Sequence, residues 1–253
     1  MHRIAIALVS TTCLSFGFAQ VASAADMPVK ALKAPPAVVT WTGCFIGGNV
    51  GTLRARYDWA NGSPAFGPVG TPDVRNTPTG SVVGGQAGCD YQTGQWVLGI
   101  QGDYDSARAR GRDVAFATST FGAGTQLESR MRNLASVTGR VGYAWDRFLG
   151  YVRGGGAWTR NEFAQFSPAG VFIDTASDRR GGWTVGVGGE YAFTSNVSAF
   201  IEYDHYDFRS RTVPFFLVAT GAFTFNEIIR QRVDVVKGGI NFRWAGGPVR
   251  AAY

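Results

Sequence analysis

The chain has 253 residues, of which 35 are glycine and 13% are aromatic, and its formal net charge is +6. Glycine is about twice as frequent as in an average protein, but it is not concentrated in one low-complexity block. After the first 24 residues, no stretch reaches the roughly 18 uninterrupted apolar residues of a membrane-spanning helix, which excludes an inner-membrane helical protein.

The first 24 residues have the three parts of a secretory signal peptide. Met1–Arg3 carry positive charge, residues 4–18 are mostly apolar, and Ala22–Ala24 form a small-residue cleavage site. Cys13 lies inside the apolar part and not at the cleavage site, which argues against a lipoprotein. We therefore expect the mature chain to be exported and to begin at Ala25.

Residues 25–40 are predicted to form an extended linker, because each proline disfavours helix at the residue before it. From residue 41 onwards apolar and polar residues alternate, as in strands that expose one face to an apolar medium. Gly181–Phe193 has the clearest pattern, with large apolar residues at every second position. Eight strands are predicted, at residues 41–57, 80–91, 95–110, 130–145, 148–161, 182–194, 196–210 and 230–244.

Short and long connections alternate between these strands, which is the layout of an outer-membrane barrel with periplasmic turns and extracellular loops. In a secreted β-sandwich, short and long connections are not expected to lie at opposite ends of the fold. The sequence predicts an all-β fold: an eight-stranded antiparallel transmembrane outer-membrane β-barrel over residues 41–244. It has short periplasmic turns, four long extracellular loops, a periplasmic linker and a C-terminal tail at residues 245–253. An aromatic girdle is predicted beside the turns, at Tyr91, Trp96, Tyr143, Trp145, Tyr151, Tyr191, Phe193 and Trp244.

The opposite parity of the strands places charged residues of both signs inside the barrel. An eight-stranded barrel is just wide enough to be filled by side chains, so these charges are expected to pair and close the lumen. A conducting or gated polar channel is the alternative. The predicted lumen network comprises Asp90, Asp103, Arg140, Arg153, Glu190, Glu202, Asp204, Lys237 and Arg243.

Three segments, Trp41–Asn49, Val137–Asp146 and Gly238–Trp244, resemble the small outer-membrane proteins of alphaproteobacteria called porin-like or outer-membrane immunogenic proteins, including the rhizobial RopB type. The resemblance covers the mature chain to Trp244. It implies a place in the bacterial outer membrane, with roles in the family that range from envelope integrity and surface antigenicity to pore activity and, in some members, haem binding.

The last predicted strand also resembles the terminal signal that the barrel assembly machinery reads. The matching residues are Lys237, Gly239, Phe242 and Trp244. Family members usually end at the last aromatic residue, whereas this chain continues for nine residues. We therefore expect the assembly machinery as a partner that tolerates an internal signal.

A mainly structural surface role is the predicted function, covering envelope integrity, contact with lipopolysaccharide and surface antigenicity. The alternatives are a small diffusion porin and an adhesin or ligand-binding surface protein. Enzymatic activity is not expected, because His205 is the one histidine of the mature chain and no serine accompanies it, although Asp207 shares its face. No cofactor or metal site is expected, and nucleic-acid binding is improbable for an exported barrel despite the positive charge.

Two cysteines remain after the signal peptide, Cys44 on the first strand and Cys89 on the second. In an antiparallel hairpin both lie at the periplasmic level, where directly opposed positions come close to disulfide distance. We predict a disulfide between them, with two lipid-facing thiols as the alternative.

All but three of the 24 basic residues are arginine, and many lie where strands meet long loops. Outer-membrane lipids and lipopolysaccharide are the predicted partners there, because arginine grips phosphate and carboxylate groups with two parallel hydrogen bonds. Solvated rim charge without a ligand is the alternative. The predicted lipopolysaccharide collar, on the lipid-facing side, comprises Arg54, Arg56, Arg108, Arg110, Arg160, Arg209, Arg211, Arg230 and Arg232.

The long loops are not uniformly polar, as Val213–Ala219 and Phe166 with Val171–Ile173 show. Plain packing of the loops against one another is expected, because exposure of so much apolar surface promotes aggregation. The other interpretation is that the strands extend beyond the membrane as hairpins whose apolar faces pack together. The exposed edges of such a raised sheet would bind a surface protein partner by strand addition.

Overall fold

The computed structural model describes residues 39–117, 119 and 121–244, so that the predicted signal peptide, most of the linker and the tail lie outside the described residues. These residues contain one short 3-10 turn, Pro64–Phe66, and no helix long and apolar enough to cross a membrane. Their strands are β1 (Gly43–Asn61), β2 (Pro72–Asn76), β3 (Thr79–Thr93), β4 (Trp96–Val114), β5 (Gln126–Trp145), β6 (Phe148–Phe166), β7 (Phe172–Ala192), β8 (Val197–Leu217) and β9 (Phe223–Trp244).

Eight of the strands close into an antiparallel barrel. Successive strands from β3 to β9 pair with each other, and β1 pairs with β3 on one side and β9 on the other. The closing β1–β9 ladder has no register shift between Cys44, opposite Trp244, and Asn61, opposite Glu227. Beyond Arg54, the short β2 takes the place of β3 beside β1. The predicted eight-stranded barrel is confirmed, with β2 as an additional strand.

The connections at one end of the barrel are tight. Gly94 and Gln95 join β3 to β4, Asp146 and Arg147 join β5 to β6, and residues 193–196 join β7 to β8. Gly94 (φ 60°) and Asp146 (φ 52°) have the left-handed conformation that two-residue hairpin turns need. This end corresponds to the predicted periplasmic turns.

The opposite end differs from the prediction of four long loops. Two long connections remain, residues 62–78, which include β2, and residues 115–125. The segments predicted as the third and fourth loops are mostly strand, and only residues 167–171 and 218–222 connect the hairpins. Their alternating apolar residues fill the interior of an extended barrel, so the sheet continues where loops were expected.

The barrel has two halves of opposite polarity. Seven of its strands have 19 to 22 residues, about twice the 9–11 that cross a membrane. On β4, Ile100 points outward and Asp103 inward near the turns, whereas further along Arg108 points outward and Ala109 inward. We call the part with apolar outward residues the membrane half and the part with outward arginines the extracellular half.

An apolar core fills the extracellular half. The ring centroid of Trp59 lies 5.2 Å from that of Phe163 and 5.7 Å from that of Phe215. Phe215 in turn stacks on Phe225 at 4.9 Å. We call this cluster the extracellular core, and its buried members are Leu53, Ala55, Tyr57, Trp59, Val74, Val82, Ala107, Ala109, Leu127, Met131, Leu134, Ala157, Phe163, Ala176, Tyr206, Phe208, Val213, Phe215, Phe225, Ile229, Val233 and Val235.

Exposed aromatic side chains border the membrane half beside the turns, at Tyr91, Trp96, Trp145, Phe148, Tyr191, Phe193 and Trp244. Tyr151, which was predicted to belong to this girdle, instead points into the lumen and donates a hydrogen bond to Glu202 at 2.9 Å. The run of glycines at residues 154–156 of β6 carries no side chains from which the parity of this strand could be read.

Candidate functional site in the lumen and at the rim

The lumen of the membrane half contains two clusters of ion pairs, of which the first lies near the turns. Arg140 donates from Nε to Asp90 at 2.7 Å and lies 3.4 Å from Glu190. Arg243 donates from Nη1 to Asp90 at 2.8 Å. Both guanidinium groups face the ring of Phe45, at 4.6 and 4.9 Å from its centroid. Two cations thus balance two carboxylates in this cluster.

The central cluster surrounds two cations with the same three carboxylates. Arg153 lies 2.8 Å from Asp103, 2.7 Å from Glu202 and 3.4 Å from Asp204. The Nζ atom of Lys237 lies 3.0 Å from Asp103 and 3.5 Å from Glu202. Its distance to Asp204 is 3.8 Å. The carboxylates outnumber the cations, so removal of either cation would increase the buried negative charge.

Several residues on the inward faces of the strands belong to the lumen but are absent from the predicted network. Asp105, which is 1% exposed, lies 3.5 Å from the Nζ atom of Lys237. Asn49 donates to Gln86, and Gln86 donates to Asn241, each at 2.8 Å. Their positions on the inward face of alternating strands could have identified them from the sequence. The nine predicted lumen residues are all at most 5% exposed, and they are Asp90, Asp103, Arg140, Arg153, Glu190, Glu202, Asp204, Lys237 and Arg243.

Apolar layers close the lumen at both ends. At the turn end, Val39 and Trp41 pack in a buried cluster that includes Val97 and Leu149. Trp41 is 1% exposed, and Arg243 donates to its carbonyl oxygen at 2.7 Å. At the other end, the extracellular core fills the interior. The charged clusters are thus enclosed between two apolar layers.

The predicted disulfide between Cys44 and Cys89 is confirmed. The two residues are directly opposed on β1 and β3, close to the turn between β3 and β4. Cys44 is also directly opposed to Trp244, the last residue of β9. The bond closes a separation of 45 residues beside the β1–β9 closure, which in the chain-entropy account stabilises the fold by about 4 kcal/mol at most.

The nine predicted collar arginines all lie on the outward face of the extracellular half. Four have a carboxylate within 4.0 Å, in the pairs Arg110–Glu128, Arg211–Asp178, Arg230–Asp207 and Arg232–Asp58. Among the described residues, the other five have no carboxylate at that distance, and they are Arg54, Arg56, Arg108, Arg160 and Arg209. The structure therefore divides the predicted collar into arginines with and without an ion pair, although Arg56 and Arg160 are attracted from a greater distance by Asp234 and Glu162.

Glu128 forms ion pairs with more than one arginine. It accepts hydrogen bonds from Arg110 at 2.8 Å, Arg112 at 2.9 Å and Arg130 at 2.7 Å. Burial acts to raise its pKa, but the bonds from these three arginines hold the pKa of Glu128 below its usual range. Glu128 therefore stays ionised and keeps these three side chains engaged near neutral pH.

The residues of the predicted assembly signal have different surroundings. Lys237 belongs to the central cluster, whereas Phe242 and Trp244 point outward and are 52% and 50% exposed. A Cβ atom at Gly239 would lie 2.1 Å from the carbonyl oxygen of Gly48, so the close approach of β9 to β1 requires glycine there. Lys237 and Gly239 thus stabilise the folded barrel, the first through ion pairs and the second by allowing β9 to approach β1.

Residues 11–228 match the family described as outer membrane protein beta-barrel domain. The 31 kDa outer-membrane immunogenic proteins of Brucella melitensis and Brucella suis are each 31% identical over 208 residues, which cover 78% of this chain and 85% of theirs. The outer membrane protease OmpT of Escherichia coli, at 9% identity and a TM-score of 0.52, covers 81% of this chain and 98% of its own and is similar in fold alone. The chain therefore belongs to the family of outer membrane β-barrel proteins and lies in the bacterial outer membrane, as its sequence resemblance predicted.

Proposed function

We propose that this protein is a sealed, non-enzymatic structural barrel that presents a rigid surface and binds lipopolysaccharide along its rim. The observation that supports sealing is the lumen, where two ion-pair clusters lie between apolar layers. His205, the one histidine of the described residues, is half-buried and bonded through Nδ1 to Asp234 at 2.7 Å, beside the ring of Trp183. This position favours a structural contact at the membrane border over catalysis.

The rival function of a small diffusion porin would need an open path through the clusters. Separating a buried charge from its partners typically costs about 3–5 kcal/mol, because the charge left behind is uncompensated. Arg153 and Lys237 each approach several carboxylates at once, so opening would break more than one such pair. The closed state is therefore favoured.

Planar-bilayer recordings test the sealed barrel directly. Refolded wild-type protein is expected to give no stable open level, because buried ion pairs and apolar side chains occupy the lumen. A porin reconstituted in the same lipid and a heat-denatured sample serve as positive and negative controls. A reproducible open level in the folded sample that the denatured sample lacks would overturn the proposal in favour of a diffusion porin.

The rim supports the second part of the proposal. The five collar arginines without a carboxylate lie just beyond the apolar outward face of the membrane half, at the level where the phosphates of the outer leaflet begin. Guanidinium groups bind phosphate through paired hydrogen bonds, and charge-assisted bonds of this kind contribute about 1.5–3 kcal/mol each. Free rim arginines are thus the proposed contacts to lipopolysaccharide.

Replacement of Arg54 and Arg108 by glutamine is expected to weaken binding of lipopolysaccharide by about a hundredfold or more, as loss of two charge-assisted bonds implies. A matched control replaces Arg75 and Arg132, exposed arginines already paired with Asp58 and Glu162. Titration of each folded variant with lipopolysaccharide micelles measures the change. If both variants lose the same amount of lipopolysaccharide binding, the unpaired arginines are not specific contacts and the binding depends only on net positive charge.

A surface protein partner remains a second candidate function. The tips of the β6–β7 and β8–β9 hairpins expose apolar side chains, and those more than one-third exposed are Val171, Phe172, Phe216, Val218 and Phe223. Exposed apolar patches of this kind favour protein docking.

The barrel assembly machinery is the proposed partner of β9 during insertion, through Phe242 and Trp244 on its outward face.

A further inference from the structure

A groove crosses the outward face of β4 to β7 at the border between the two halves. Its floor and walls follow two neighbouring rows of directly opposed residues. Tyr104, Ala135, Trp158 and Gly181 form the lower row, and the upper row, on the extracellular side, includes Arg160 opposite Arg179. The hollow between them has a volume of about 360 Å³.

The pairing of Arg160 with Arg179 distinguishes this groove from the rest of the rim. Like charges at directly opposed positions destabilise a sheet unless a counter-charge is present. Among the described residues, neither guanidinium group has a carboxylate within 4.0 Å, and Glu162, which attracts Arg160 from a greater distance, is already bonded to Arg132. The opposed pair Arg110 and Arg130, by contrast, shares Glu128. The groove thus presents two adjacent cations whose repulsion an anion would relieve.

The side chains below the two arginines suit an acyl chain. Trp158 and Tyr104 are 52% and 61% exposed and stand on either side of the small residue Ala135. The indole of Trp158 extends over glycine, since a Cβ atom at Gly156 would lie 3.3 Å from the ring and one at Gly181 would lie 3.7 Å from it. The aromatic residues therefore form walls around a shallow floor.

The groove continues towards the membrane centre. A second hollow of about 510 Å³ shares Tyr104, Ala135 and Trp158 with the first, and its outward lining includes Ala87 and Val137. Cationic groups therefore lie above a continuous apolar trough. An amphiphile with phosphate at its head and hydrocarbon below matches this order, whereas a soluble phosphate matches only the upper part.

We propose that this groove is a defined site for one phosphorylated, multiply acylated glycolipid of the outer leaflet, of the lipid A class. Arg160 and Arg179 bind a phosphate, and an acyl chain lies between Tyr104 and Trp158. The proposal rests on the rim function given above and deepens it, because it replaces diffuse attraction along a collar by one site with a fixed position.

Two variants test the site in nanodiscs, with lipid A as the probe. Arg160→Gln with Arg179→Gln is expected to weaken lipid A binding at least about tenfold, equivalent to about 1.4 kcal/mol. Ala135→Leu fills the trough without changing charge or adding a polar group to the lipid face, and it is expected to weaken binding similarly. The Arg75→Gln, Arg132→Gln variant is the charge-matched control.

The outcomes separate the site from the collar. Wild-type affinity in the Arg160→Gln, Arg179→Gln variant overturns the site, while a loss confined to Arg54→Gln, Arg108→Gln then leaves the collar in place. Unchanged affinity in Ala135→Leu overturns the acyl-chain trough. Wild-type protein that binds dephosphorylated lipid A as tightly as lipid A overturns the phosphate contact, and inorganic phosphate that fully displaces lipid A overturns the assignment to a lipid.

Discussion

Replacement of Arg153 by methionine is expected to lower the free energy of unfolding of the membrane half by about 3–5 kcal/mol, the usual cost of removing one partner of a buried ion pair. Methionine keeps an unbranched apolar stem but leaves Asp103 and Glu202, at 2.8 and 2.7 Å from Arg153, without their bonds. Lys237 would then face all the carboxylates of the central cluster alone.

Urea unfolding of the refolded protein in lipid vesicles measures this change. Arg75→Met is the matched control, because Arg75 also pairs with one aspartate but is largely exposed, and such pairs contribute at most about 1 kcal/mol. Addition of Glu202→Gln to Arg153→Met is expected to recover part of the stability by removing one uncompensated charge. An Arg153→Met protein as stable as the Arg75→Met protein would contradict the role assigned to the central cluster.

The second large effect is expected in the extracellular core. Phe215→Ala should destabilise the extracellular half by about 3–5 kcal/mol, since it empties a fully buried ring position between Trp59 and Phe225. The membrane half has its own polar interior and does not depend on this packing. Local opening of the extracellular hairpins is therefore expected, with the membrane half still folded.

Trypsin, which cleaves after arginine, reports this opening in protein reconstituted into vesicles. Phe216→Ala is the matched control, because Phe216 is the next residue of β8 and is 40% exposed on the outward face. Rapid cleavage at Arg209 and Arg230 is expected for Phe215→Ala, with slow cleavage for Phe216→Ala and the wild type. Equal cleavage rates in both variants would show that the core does not hold the hairpins together.

Much of the fold could be predicted because inward and outward side chains alternate along each strand. The parity of β3, β4, β8 and β9 placed Asp90, Asp103, Glu202 and Lys237 inside the barrel, where the structure has them. The third and fourth long loops of the eight-strand assignment are wrong for a physical reason, whereas the interpretation of these segments as extended hairpins with packed apolar faces is confirmed. Their apolar residues, such as Val213 and Phe215, face inward as in a soluble barrel, whereas the membrane half has its apolar residues outside, so one rule could not describe both.

The sites depend on information that a single sequence does not contain. The opposition of Arg160 and Arg179 is set by the β6–β7 register, and an offset of one residue in either strand would have separated them. Alternation along β4 puts Asp105 on the inward face, yet its contact with Lys237 crosses the lumen between distant strands. Likewise, Trp41 was predicted to begin the first strand, whereas it precedes β1 and closes the periplasmic mouth.

The exchange of polarity along each strand also fixes the depth of the protein in its membrane. A barrel with a uniformly apolar outer surface could move along the membrane normal at little cost in free energy. Here a shift towards the periplasm would carry Arg54, Arg108 and Arg160 into the hydrocarbon of the bilayer. Each arginine costs about 2–4 kcal/mol at the bilayer midplane, and a shift towards the outside of the cell would expose Val83 and Val236, which lie just below the arginines, to water. The barrel is therefore held at one height whatever the local bilayer thickness, and thin or thick membranes must adapt to it.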